Sequence, residues 1–137
     1  MNTTGNLADR AWEFRRQVNA DAETIADARR GFDLWAAALA LGADDRDDVV
    51  LATYEAMANS AEHAYRDHPP GGIVDIHARF VHNVLTVTVT DHGTWKVPDS
   101  TDSYRGRGLI MINGLADSHV IAERPDGGTI ITMTWSR

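Results

Sequence analysis

The chain has 137 residues, which fits one domain built around one core. Its apolar fraction of 43% and charged fraction of 24% belong to a globular protein and not to a disordered one. A net charge of -7 argues against direct nucleic-acid binding, and the absence of cysteine excludes disulfides and thiolate metal sites.

Residues 1–10 read as a flexible N-terminus, and a single domain is expected over 11–137. Met1-Asn2-Thr3-Thr4-Gly5 is polar and lacks the apolar stretch of a signal peptide. No apolar run approaches the roughly 18 residues that span a membrane. The expectation is a cytoplasmic chain without a membrane association. From Ala11 to Val18, Trp12 and Phe14 alternate with charged residues and suggest a strand, although Arg16 interrupts the alternation. Asp21 is placed as an N-cap with Glu23 in the first turn. Ile25, Ala28, Phe32, Trp35, Ala36 and Leu39 then recur at three- and four-residue spacing. They predict a helix from about Ala22 to Leu41, ended at Gly42.

Asp44 and Asp45 offer caps for a second helix, and Asp47 and Asp48 suit its positive end. The run directly precedes an apolar-periodic segment, which favours capping over a metal site. The apolar stripe is Val50, Tyr54, Met57, Ala58, Ala61 and Tyr65. Glu55 and Asn59 share a helix face one turn apart and border that stripe. Asn59 brings a neutral carbonyl oxygen suited to a hard cation, and Glu55 a carboxylate able to take a proton from a hydroxyl. His63 continues their spacing and is read as structural. Pro69-Pro70-Gly71-Gly72 stops the helix.

Two period-2 segments follow. Val74, Ile76, Ala78 and Phe80 form the apolar face of the first, Ile73 to Val81. His82-Asn83 is the turn, and Leu85, Val87 and Val89 face one way in Val84 to Thr90. By parity Asp91 points to the same buried side if the strand continues. There a carboxylate costs several kcal/mol in principle unless something pairs with it, as a ligand amino group would. If the strand stops at Thr90, Asp91 instead begins a turn with Gly93. Residues 92–107 hold no period and read as an exposed polar loop. The loop ends in Arg105-Gly106-Arg107-Gly108, before the apolar Leu109 to Leu115, which fits a short buried helix. A glycine-flanked turn opening a helix offers free N–H groups to phosphate, and the two arginines add charge. The same residues also suit a solvated loop. Two more strands, about His119 to Glu123 and Thr129 to Trp135, flank the hairpin signal Pro125-Asp126-Gly127-Gly128. Thr129 lies on the apolar face of the last strand with Ile131, Met133 and Trp135. It can bond to the backbone or to a ligand beside Asp91.

These signals occur in a recognisable order. Glu55-Ala-Met-Ala-Asn59-Ser-Ala-Glu-His63-Ala-Tyr65 resembles the N box of the GHKL ATPase/kinase superfamily. Asp91-His-Gly93 resembles its first glycine box, Gly106-Arg-Gly108-Leu109 its second, and Gly127-Gly128-Thr129 its final hairpin. The compact size and the form of the N box are most similar to anti-sigma-factor serine kinases of the RsbW and SpoIIAB type. The resemblance implies an α+β Bergerat fold, a two-layer α/β sandwich. It has a mostly antiparallel sheet of about five strands, with about three helices on one face and ATP between the layers. It also implies Glu55 as the base for a partner's serine, and Asn59 as the Mg²⁺ ligand. Asp91 would accept from the adenine amino group, with Gly93 and Thr129 beside the base. Gly106, Arg107 and Gly108 would hold the phosphates, with Arg105 and Leu109 also in the nucleotide site. The implied cofactors are ATP and Mg²⁺. The implied partners are a sigma factor, a STAS-type anti-anti-sigma antagonist and a second copy in a homodimer. The implied activity is serine phosphorylation of the antagonist; the alternative is a non-catalytic, ATP-gated binding module. One departure is Trp95, where the first glycine box usually carries a second glycine.

Overall fold

A computed structural model describes residues 12–64, 72–93, 111–125 and 127–137. Five antiparallel strands form one sheet: β1 (Trp12–Asn19), β2 (Ile73–Val81), β3 (Val84–Asp91), β4 (Ser118–Glu123) and β5 (Thr129–Ser136). Their order across the sheet is β1-β2-β3-β5-β4. Helices α1 (Ala22–Ala37) and α2 (Ala43–Asn59), with a short helical stretch α3 at 111–115, complete the α+β fold expected from the sequence. Among the described residues, no helix is long and apolar enough to cross a membrane.

Alternation decides which face of the sheet is covered. Val74, Ile76 and Ala78 of β2, Leu85, Val87 and Val89 of β3, and Ile131, Met133 and Trp135 of β5 are all buried. They form one cluster with Ile25, Phe32, Val49 and Met57 of the helices and with Ile112. Each large apolar side chain removed from water contributes about 1.5–3 kcal/mol, so this single layer carries most of the stability. Phe14, Phe32 and Trp35 add an aromatic cluster, with ring centroids 5.4–6.0 Å apart, where β1 meets α1. Arg16 breaks the alternation in sequence but keeps it in space. Its guanidinium lies on the covered side, 5.6 Å from the Phe14 ring centre and against Gly31, where a Cβ would stand 2.9 Å from Nη1. Gly31 therefore leaves room for an arginine at the edge of the core.

The helix ends depart from expectation. Asp21 caps α1 as expected, accepting from the Thr24 N–H at 2.7 Å. The helix nevertheless stops at Ala37, not near Leu41. The N–H groups of Ala38 and Leu39 bond to Trp35 and Ala36, which tightens the last turn and folds Leu39 into the core. No aspartate caps α2: Gly42 holds the cap position without a side-chain bond, and Asp44 and Asp45 lie inside the first turn. The buried face of α2 is Val49, Val50, Ala52, Thr53, Ala56 and Met57, so the stripe is rotated from the expected one and Tyr54 and Ala58 are only half-buried. α3 is less buried than its composition suggests, with Ile112 enclosed and Met111 exposed. The hairpin β2–β3 turns at His82 and Asn83, both at positive φ (51° and 61°), as a tight two-residue connection needs.

Candidate functional site

Register and parity build the first wall of the site. β3 continues through Asp91, whose Cα pairs with Val74 on one side and Thr129 on the other. Asp91 and Thr129 therefore share the helix-covered face, and both are fully buried. Of the two sequence readings, the continued strand is the one observed, although a turn also begins here: the Gly93 N–H donates to Asp91 Oδ1 at 3.0 Å. That bond is one of the interactions a carboxylate needs at such depth. Gly128 fixes the backbone beside it. At φ +99°, a Cβ on Gly128 would stand 2.0 Å from the Asp91 carbonyl oxygen, so only glycine lets β5 begin this close to the end of β3. On the opposite face of the sheet, His92 contacts both Asp75, at 3.4 Å, and the Arg124 guanidinium.

The second wall comes from α2. Its first turn is tied to the far end of the sheet, where Arg137 pairs with Asp45 at 3.0 Å and its N–H donates to Asn83. From there α2 runs 17 residues, about 25 Å. β3 spans 8 residues, about 26 Å. The C-terminal end of α2 thus reaches the end of the sheet that holds Asp91 and Thr129. Past Asn59 the helix widens into a π-helical turn, Ser60–Ala64, which packs on β3 and β2. Glu55 is half-buried and Asn59 is 8% exposed, so the pair stands at the rim of the layer, as their position beside the stripe implied.

Buried polar groups normally have partners. Here, among the described residues, five side-chain atoms are buried without one: Arg46 Nε, Thr53 Oγ1, Asn59 Nδ2, Ser60 Oγ and Thr129 Oγ1. Arg46 Nε still lies 3.3 Å from Asp33 Oδ1 in an ion pair, and Thr53 is in mid-helix; the other three belong to the elements that meet at the Asp91 end. An amide, two hydroxyls and a carboxylate, set in a layer otherwise lined by aliphatic side chains, fit a flat heterocycle bearing an amino group and ring acceptors. Glu55, Asn59, Asp91, Gly93 and Thr129 are thus placed around one end of the helix–sheet layer. Arg105, Gly106, Arg107, Gly108 and Leu109 lie outside the described residues, as does Trp95. Sequence reasoning missed Ser60, which had no signal apart from following Asn59. It also missed the π-helical turn, a feature frequent at functional sites and without a local sequence signature.

Comparison with known proteins agrees with this fold. The family model for the histidine kinase-like ATPase domain matches residues 18–135. Serine-protein kinase RsbW of Staphylococcus aureus is 26% identical over 106 residues, covering 66% of this chain and 65% of the relative. The RsbW of S. aureus strain Newman gives the same values. The crystal structure of the RsbU and RsbW domains of Rv1364c from Mycobacterium tuberculosis superposes with a TM-score of 0.72 at 23% identity. The match covers 90% of this chain and 32% of that one. The chain thus spans just under two thirds of the length of the kinases and about one third of the solved chain.

Proposed function

Since the chain belongs to the histidine kinase-like ATPase family, we propose that it is an ATP-dependent serine protein kinase that also acts as an anti-sigma factor. In this reading it holds a sigma factor and phosphorylates a STAS-type antagonist on serine. The observation that carries the reading is the buried Asp91–Thr129 pair facing the polar end of α2. The kinases it resembles supply the reaction class.

In the proposed mechanism Asp91 accepts from the adenine amino group, and Thr129 bonds to the ring beside it. Gly93 leaves the base room against the backbone. Asn59 would hold Mg²⁺ through its side-chain oxygen. Bound Mg²⁺ supplies neutralisation of phosphate charge. Glu55 takes the proton of the partner's serine hydroxyl as that oxygen bonds to the γ-phosphorus. The bond from the γ-phosphorus to the bridging oxygen breaks, and ADP leaves. Gly106, Arg107 and Gly108 are assigned to the phosphates, and Arg105 and Leu109 to the nucleotide site, from their sequence motif.

A second reading, an ATP-gated binding module without transfer, draws on Trp95, whose bulk stands where a glycine is usual. One experiment separates the two. The chain is incubated with labelled ATP and a candidate antagonist, alone and as Glu55→Ala. The kinase reading expects transfer by the wild type, and a loss of about 10²–10⁴-fold in Glu55→Ala with ATP binding kept. Tight binding without transfer by the wild type supports the module. Unimpaired transfer by Glu55→Ala removes Glu55 from the role of base.

A further inference from the structure

Two hydroxyls on the second helix and its continuation are fully buried and have no partner among the described residues: Thr53 Oγ1 and Ser60 Oγ. They lie seven residues apart, about 10 Å along the axis, on one face. Their surroundings differ. Thr53 sits in mid-helix beside Ala52 and Ala56, which are both fully buried in the apolar core. Ser60 opens the π-helical turn, which packs on β3, the strand that ends in Asp91, and on β2, whose Val74 pairs with Asp91. The unpartnered Thr129 hydroxyl stands on the opposite wall, directly across from Asp91.

We infer that Ser60 is a nucleotide-positioning residue, its hydroxyl joining Asp91 and Thr129 in hydrogen-bonding the purine ring. The inference rests on the ATP reading above and adds a group to it. A carboxylate can only accept, and so reads the base's amino group; a hydroxyl can donate, and so suits the ring nitrogens that only accept. A fully buried hydroxyl without a partner lowers the stability of the free protein. It is compensated when a ligand supplies that partner. Asn59 and Ser60 are both buried, at the point where α2 passes into the π-helical turn.

The test compares Ser60→Ala with Thr53→Val, using ATP and ADP as probes in calorimetry and urea unfolding of the ligand-free chains. Ser60→Ala is expected to weaken ATP and ADP by the same factor, about threefold to tenfold, the worth of one hydrogen bond. Its urea midpoint without ligand should equal or exceed the wild type, because an unpaired buried hydroxyl has been removed. Thr53→Val is expected to raise the midpoint and leave both affinities unchanged. Wild-type affinity in Ser60→Ala overturns the inference while leaving the ATP reading intact. So does a joint loss of stability and affinity, which would make the hydroxyl structural, and so does weakening of ATP without ADP, which would place it at the phosphates. A wild-type chain that binds neither nucleotide overturns the ATP reading itself, and this inference with it.

Discussion

The two ends of the sheet are built by opposite rules. At the end where β3 begins and β5 finishes, polar groups are paired to one another. Arg137 bridges Asp45 of α2 and Asp117 at 3.0 and 2.8 Å, and Asp117 also accepts from the Ser136 N–H. The indole N–H of Trp135 donates to the Leu115 carbonyl at 2.9 Å. At the end where β3 finishes and β5 begins, Asp91 is sunk into the core face, and the Asn59 amide nitrogen and the Ser60 and Thr129 hydroxyls have no partner among the described residues. The first end holds the molecule together. The second gives up some stability to keep hydrogen-bonding groups available in a dry layer, the pattern expected of a binding site. Substitutions at the paired end should therefore change stability alone, and those at the other end mainly binding.

The largest effect expected at the binding end is one that breaks this division. Gly128→Ala places a methyl group 2.0 Å from the Asp91 carbonyl oxygen at φ +99°. Strain and overpacking together should cost about 3–5 kcal/mol. Urea unfolding measures this loss, and nucleotide affinity should fall with it because Asp91 moves. At the paired end, Arg137→Ala removes two partly exposed ion pairs and should cost only about 0.5–1 kcal/mol, with nucleotide affinity unchanged. The smallest effect is a pH dependence. The Ser136 N–H, and after it Arg137, hold the Asp117 carboxyl below its ordinary value. A depressed carboxyl contributes stability above its unfolded value, near pH 4, and loses it as pH falls through the lower folded value. The urea midpoint of the wild type should therefore drop below about pH 4, and Asp117→Asn should flatten that drop. A slope remains, because Glu13 and Asp21 are lowered too, by the bond to His77 and by the Thr24 N–H respectively.

The two ends were also unequally legible in the sequence. Strict alternation from Leu85 to Val89 carries through to Asp91, so a buried carboxylate was one of two readings the sequence allowed, and Thr129 could be placed on the face of Ile131 and Met133. Period 2 is a strong constraint, since a slip of one residue would turn every side chain over. Helix phase is weaker in an alanine-rich segment. Ala52, Thr53 and Ala56 took the core positions given to Tyr54 and Ala58, because small side chains let α2 lie close to the sheet. The capping aspartates lost their place to Gly42, since Asp45 is used in the tertiary pair with Arg137. The π-helical turn after Asn59 had no local signal. Gly128 was legible as part of a hairpin turn, but the close approach of the Asp91 carbonyl, 37 residues away in sequence, was not. Motif order compensated for this by pointing to Asn59, Asp91 and Thr129 together, where each alone was ambiguous.

Calorimetry of Mg-ATP on the wild type and on Asp91→Asn tests the central claim most directly. Asparagine keeps an acceptor for the Gly93 N–H but gives up the charge. The expected result is binding by the wild type and an affinity about tenfold to a hundredfold lower in the variant, with the fold retained. Equal affinity in both chains, or no binding by the wild type, would contradict it.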